Sequence, residues 1–249
     1  VEAARKAGEV LRECFGSVDY RLKSSHHDLV TEADRLAEER ILELIRSTYP
    51  DHGLLSEESP PQLSNSPYRW VIDPLDGTTN FAHAIPFFAV SIALEENYKP
   101  ILGVVYDPLR DELFSAVAGE GARLNGRPIG VSRAGSLEES LLATGFPYKP
   151  ELFERNLRYF RALLPKAQSL RRFGSAALCL AYVAAGRLEG YWDLDLHPWD
   201  LAAGRLLVAE AGGRVSDIDG EELQPDCRDL LASNGLIHPE VLEVLGREG

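Results

Sequence analysis

Hydrophobic and polar positions follow two rhythms along the chain. Val1, Ala4, Gly8, Leu11 and Phe15 share one face at helical spacing, with Arg5, Glu9, Arg12 and Glu13 on the others. This predicts a helix already under way at Val1 and ended by Gly16. Lys23 to Asp28 is a polar stretch. Thr31-Glu32-Ala33-Asp34 sets a hydroxyl three residues ahead of an acid, a helix start. Leu36, Ile41, Leu44 and Ile45 form the apolar face of this second helix, which Pro50 closes. Short apolar runs then take over. Gly53-Leu54-Leu55 ends in Glu57 and Glu58. Trp70-Val71-Ile72 reads as a buried strand that stops at Asp73, because Pro74 cannot continue a sheet ladder. Phe87–Leu94, Ile101–Tyr106 and Glu112–Val117 read as further strands, and Asn125-Gly126 as the tip of a hairpin. Strands joined by tight turns, behind two helices, predict an α+β first half with an antiparallel sheet.

After Ser132–Leu137, where Ser, Gly and Arg replace the apolar runs, strands and helices alternate. Strands are predicted at 141–144, 169–172, 190–193, 215–218 and 230–233, and helices at 151–164, 175–186, 201–211 and 239–245. This predicts an α/β layer with a mostly parallel or mixed sheet. The expected division is residues 1–134, α+β, and 135–249, α/β.

Composition narrows the function. The 249 residues are 45% hydrophobic, enough for a substantial core. A net charge of −13 argues against a nucleic-acid partner, though a bound cation would still admit a phosphorylated small molecule. No run approaches the ~18–20 apolar residues of a membrane span, and no signal peptide is recognisable. Cys14, Cys179 and Cys227 are far apart and odd in number, as expected for unbridged thiols in a reducing, cytoplasmic compartment.

The candidate chemistry lies at element ends. Asp73 and Asp76 flank a proline turn, followed by Gly77-Thr78-Thr79, a helix start with unpaired N–H groups. Two close acids repel unless something positive sits between them, and N–H groups at a helix start attract phosphate. A hard cation beside a phosphate satisfies both, and Mg²⁺ is the usual choice. Plainer readings stand beside this one. Asp200 reads equally as the N-cap of a helix 201–211, Glu57 and Glu58 as solvated loop acids, and Asp34 as an acid favoured by the helix dipole. The six histidines show no zinc spacing, and His197 beside Asp200 reads as a loop residue.

Trp70 to Phe81 matches Trp-x-Ile-Asp-Pro-(Ile/Leu)-Asp-Gly-Thr-Thr-Asn-Phe, apart from the aligned variation it allows, and so resembles the inositol monophosphatase family of Mg²⁺-dependent, Li⁺-sensitive phosphatases. Ser56-Glu57-Glu58 stands where the family has Gly-Glu-Glu, Trp199 to Gly204 matches its C-terminal motif, and Asp28 to Asp34 matches its Asp-Leu-Val-Thr-x-x-Asp. The resemblance implies a layered αβαβα sandwich of the sugar-phosphatase type, a homodimer and two to three Mg²⁺ per site. It implies that Asp73 bridges two ions, that Glu57 and the Leu75 carbonyl complete the first site, and that Asp76 and Asp200 complete the second. Glu58 would reach a third ion. The N–H groups of Gly77 and Thr78 would hold phosphate. Thr78, paired with Asp34, would orient and deprotonate the attacking water. Lys23 would lie on a mobile loop shielding the site.

The same resemblance places Gly174-Ser175-Ala176 on the alcohol side of the substrate, with Asp76, and puts Asp193 where many members have a glutamate that binds an inositol hydroxyl pair. The shorter acid moves the carboxylate back by about 1.5 Å, which weakens the case for strict inositol specificity. The expected substrate is a myo-inositol phosphate or related polyol phosphate. Fructose 1,6-bisphosphate, 3′-phosphoadenosine nucleotides and a non-catalytic regulatory role on this fold are the alternatives.

Overall fold

The computed structural model describes residues 1–16, 20–22, 29–225 and 227–248. Lys23 and the polar stretch around it lie outside the described residues. The elements are α1 (Glu2–Cys14), β1 (Tyr20–Leu22), β2 (Leu29–Thr31), α2 (Glu32–Thr48), β3 (Gly53–Ser56), β4 (Tyr68–Asp76), α3 (Thr78–Ala82), β5 (Ala89–Glu96), β6 (Lys99–Asp107), β7 (Glu112–Val117), β8 (Ala122–Leu124) and β9 (Arg127–Pro128). Then follow β10 (Leu141–Thr144), α4 (Pro150–Leu163), β11 (Ser169–Arg171), α5 (Ala176–Ala184), β12 (Gly190–Asp193), α6 (Pro198–Glu210), β13 (Arg214–Ser216), β14 (Leu230–Ser233) and α7 (His238–Gly246).

The strands form a seven-stranded sheet of order β3-β4-β5-β6-β7-β8-β9 and a five-stranded sheet of order β11-β10-β12-β14-β13. The first is antiparallel except that β3 runs parallel to β4. The second is mixed: β10 is parallel to β11 and β12, but β14 is antiparallel to β12 and β13. Of the two expected forms of this layer the mixed one is found, with parallel pairing confined to β11, β10 and β12. The β1–β2 hairpin was not legible, since its strands are three residues each and carry too little periodicity.

Strand alternation sorts side chains into separate cores. Trp70, Ile72, Val90, Ile92, Val104 and Tyr106 face α1 and α2, packing with Ala4, Leu11, Ile41 and Ile45. Val71, Ala89, Ala93 and Val105 face the other way, onto Ala177, Leu180, Ala203 and Leu207 of α5 and α6. Tyr191, Leu230 and Ala232 of the second sheet close that same core from its far side. Trp192 and Leu231 point outward to Tyr159, Leu163, Val241 and Val244 of α4 and α7. The layers thus run helix, sheet, helix, sheet, helix. Helices α5 and α6, covered on both sides, are apolar nearly all round, as an internal layer requires. Among the described residues no helix is long and apolar enough to cross a membrane, and none of the three cysteines is in a disulfide.

Candidate active site

The site begins with an irregularity in β4. The strand does not stop at Asp73; it continues through Pro74 to Asp76. Asp73 pairs with Ser91 and Asp76 with Ala89, so β4 takes one more residue than β5 over this interval. The proline, which has no N–H to give, falls in that bulge, where no ladder bond is required of it. The bulge re-aims the strand end. Asp73 Oδ1 accepts the Leu75 N–H at 3.0 Å. Gly77 then turns the chain at φ 98°, a left-handed value that glycine adopts without strain. A side chain there would also lie 3.1 Å from the Phe87 carbonyl and 3.3 Å from that of Gly174. Helix α3 starts immediately after.

Asp76 sits at the N-terminus of α5. Its carboxylate accepts the N–H groups of Ala176 at 3.2 Å and Ala177 at 2.8 Å, and the Ser175 hydroxyl donates to it as well. Ser175 is also the helix N-cap, accepting the Leu178 N–H at 3.3 Å. Gly174, Ser175 and Ala176 line the cavity as expected. What Ser175 and Ala176 do in this structure, however, is hold Asp76.

Helix α6 begins at Pro198, three residues before the predicted start. Asp200 is therefore not its N-cap but lies in its first turn, where its carboxylate accepts the His197 N–H at 2.6 Å. His197 is the N-cap, and its ring stacks on Trp199 with centroids 4.6 Å apart. A proline at the first helical position suits a helix start, and this signal would have placed the boundary correctly.

Oxygens of Asp73, Asp76 and Asp200 all lie within 4.8 Å of one another. Burial, then the neighbouring carboxylates, push Asp73 and Asp200 well above the usual carboxylate range. Burial also raises Asp76, but its hydrogen bonds from Ser175, Ala177 and Ala176 hold it to about 6. Glu57 follows β3, with its N–H on the Ile72 carbonyl at 3.2 Å, and its carboxyl group bonds Asp73. Glu57, Leu75, Thr78 and these three aspartates line one cavity of about 420 Å³, a size suited to a small molecule. Glu58 is not among the residues lining it.

Thr78 Oγ1 lies 3.1 Å from Asp34 Oδ1 and 3.0 Å from the Leu75 carbonyl oxygen. One hydroxyl proton serves two acceptors, so Thr78 can donate to only one at a time. Asp34 is fully buried.

Across the cavity, Asp193 faces inward with Tyr191, while Trp192 and Leu194 face the opposite core, as the strand alternation predicts. The Tyr191 hydroxyl donates to Asp193 Oδ2 at 2.5 Å and the Leu194 N–H to Oδ1 at 2.8 Å. Burial raises Asp193 to about 6 against those bonds. Its Oδ2 sits 1.8 Å from where a Cβ on residue 145 would stand, so only glycine is compatible at Gly145. Gly145 and Tyr191 were missed from the sequence. The glycine immediately after strand 141–144 was the available signal for the first; for Tyr191 it was its place two residues before Asp193.

The profile of the inositol monophosphatase family matches residues 1–248. The chain is 48% identical over 248 residues to an inositol-1-monophosphatase of Synechocystis sp., covering 98% of this chain and 86% of that protein. It is 46% identical over 238 residues to a protein of Salmonella typhimurium named Nus factor SuhB, covering 94% and 89%. The crystal structure of the extragenic suppressor protein suhB from Bartonella henselae superimposes with a TM-score of 0.94 at 44% identity, covering 98% of this chain and 95% of that one. The chain belongs to the inositol monophosphatase family.

Proposed function

We propose that this phosphatase is a Mg²⁺-dependent phosphomonoesterase acting on myo-inositol monophosphate or a related polyol phosphate. The observation that carries the reading is the convergence of Asp73 and Asp76, both buried, with the half-buried Asp200, all facing one cavity. Such a cluster is costly without a cation. The donors also suit a hard ion: carboxylates and the Leu75 carbonyl, with no imidazole or thiolate among them. Cys179 lines the cavity, but burial pushes its thiol well up, which keeps it protonated.

In this reading Glu57, Asp73, Asp76, Asp200 and the Leu75 carbonyl hold Mg²⁺, and Glu58 serves a further ion. When bound, Mg²⁺ supplies charge neutralisation for the phosphate and a lowered pKa for the attacking water. The backbone N–H groups of Gly77 and Thr78 orient the phosphate oxygens. The Thr78 hydroxyl, held by Asp34, accepts a hydrogen bond from the attacking water and aligns it in line with the scissile P–O bond. Asp34 is the acceptor toward which that proton drifts. Positioning of this kind suits a loose phosphoryl transition state, which needs no covalent nucleophile. Asp193 takes substrate hydroxyls. Residues 1–134 thus supply most of the metal ligands, and 135–249 supply Asp200 and the alcohol side. Two to three ions per site, Li⁺ inhibition, a homodimer and a cytoplasmic location follow from the family reading.

The name Nus factor carried by relatives supports a second reading, in which the same fold binds a protein partner. The complete acid set favours catalysis. The test is phosphate release, with Mg²⁺, from inositol 1-phosphate, fructose 1,6-bisphosphate, glycerol 2-phosphate and 3′-phosphoadenosine 5′-phosphate. Inositol 1-phosphate is expected to be turned over readily. Silence on all four substrates would leave the protein-binding reading.

A further inference from the structure

Asp193 and Asp200 stand at the two ends of the connection from β12 to α6, and the middle of that connection is strained. Asp195 sits at φ 62°, in the left-handed region, which costs a residue with a side chain even though aspartate tolerates it better than most. Such a conformation persists only where the surroundings hold it. Asp195, Leu196 and His197 line the cavity. Asp200 depends on this stretch, because its carboxylate accepts the His197 N–H at 2.6 Å.

The hold comes from Arg228 and Asp229, the two residues ahead of β14. The Leu196 N–H donates to the Arg228 carbonyl at 2.8 Å, and the Asp195 N–H to Asp229 Oδ1 at 3.0 Å. The Arg228 guanidinium completes the grip. Its Nε donates to the Leu196 carbonyl at 3.0 Å, and its Nη2 to the Asp195 carbonyl at 3.2 Å. Nη2 also lies 3.1 Å from Asp195 Oδ1 and 3.1 Å from Nε2 of the His197 ring. One side chain thus touches all three residues of the turn. Lys149 reaches the same turn through the Asp195 carboxylate, at 2.9 Å.

We propose that Arg228 is a positioning residue for Asp200. By clamping residues 195–197 it fixes the His197 N–H, and through that bond the direction in which the Asp200 carboxylate presents its oxygens to a cation. The inference rests on the Mg²⁺ reading above and deepens it. Arg228 is not among the residues lining the cavity, so it acts through the chain and not by touching substrate or metal. The sign of its effect separates this role from plain electrostatics. A positive charge near a set of carboxylates opposes a cation, so removing that charge tightens Mg²⁺ binding. Losing the clamp loosens it, as removal of a group that orients a metal ligand does.

The test is a calorimetric Mg²⁺ titration of wild-type protein, Arg228→Gln, Arg228→Lys and Lys149→Gln, with melting temperatures in chelator alongside. Arg228→Gln and Lys149→Gln remove the same charge from beside the same carboxylate. The Mg²⁺ dissociation constant is expected to rise about tenfold in Arg228→Gln. In Lys149→Gln it is expected to stay level or to fall. Arg228→Lys keeps the charge but offers one nitrogen in place of the fork. It is expected to bind Mg²⁺ more weakly than wild type, by a smaller factor, and it decides the matter should the glutamine variant fold poorly. Wild-type Mg²⁺ affinity in the Arg228 variants, whatever their melting temperatures, would make Arg228 a scaffold residue and overturn the inference. So would tighter binding in Arg228→Gln, or an equal weakening in Lys149→Gln. Wild-type protein that binds no Mg²⁺ would instead overturn the metal reading, and the inference with it.

Discussion

Asp73→Asn is expected to abolish phosphate release, by about 10³-fold or more, while the fold persists. Asp73 is a buried carboxylate that is bonded to Glu57 and feels the charges of Glu57, Asp76 and Asp200. If it bridges two cations, removing its charge weakens both, and a loss of about 4 kcal/mol of transition-state stabilisation is ~10³-fold in rate. The fold has little reason to suffer. Asparagine keeps the oxygen that accepts the Leu75 N–H. In metal-free protein the substitution is expected to stabilise. The folded-state pKa of Asp73 is raised far above that of the unfolded chain, so the folded state holds its proton more tightly. Stability of the metal-free wild type therefore falls as pH rises above about 4, the unfolded aspartate value. Asp73→Asn removes that proton and relieves its neighbours. Its melting temperature in chelator should exceed the wild-type value at pH 7, and the gap should close toward pH 4. Near-normal turnover, or a metal-free protein less stable than wild type at pH 7, would return Asp73 to the role of a turn residue.

Asp193→Ala is expected to lower kcat/KM for inositol 1-phosphate by about 10- to 150-fold, corresponding to about 1.5–3 kcal/mol for a charge-assisted hydrogen bond. Glycerol 2-phosphate should lose less, since it has fewer hydroxyls to place, and the Mg²⁺ midpoint should not move. The structure adds a control. Asp193 also accepts from Tyr191 and from the Leu194 N–H, so alanine leaves both donors unmatched. Asp193→Asn keeps an oxygen for the Leu194 N–H, and the Tyr191 hydroxyl can turn to accept from the amide. If the loss on inositol 1-phosphate comes from substrate recognition, asparagine should share most of it while keeping the wild-type melting temperature. Equal losses on both esters, or a shifted Mg²⁺ midpoint, would assign Asp193 to the metal site or the scaffold.

Much of this was legible in the sequence, and the exceptions have physical causes. Strands Glu112–Val117, Leu141–Thr144, Gly190–Asp193 and Leu230–Ser233 were read to the residue, because each is a short apolar run bounded by turn residues. The end of β4 was misread. Proline forbids a ladder bond, but a bulge removes the need for one, and a bulge depends on the partner strand rather than on local sequence. The parallel pairing of β3 with β4 was hidden for the same reason. The acids could be proposed as a group because Asp73, Asp76 and Asp200 all sit at element ends. What they rest on was not legible. Ser175 reaches Asp76 across 99 positions of sequence, and Asn80 reaches Phe173 across 93. Contacts of that range come from the stacking of layers, which periodicity does not report.

The central claim is that these carboxylates are assembled to hold catalytic cations, and reversible metal removal tests it most directly. Hydrolysis of inositol 1-phosphate is measured in wild-type protein with excess chelator, then with Mg²⁺ restored, then with Ca²⁺ in its place. Activity should vanish with chelator and return with Mg²⁺. Ca²⁺ should fail to restore it, because its larger, looser coordination spoils in-line geometry. Full hydrolysis in excess chelator would contradict the account.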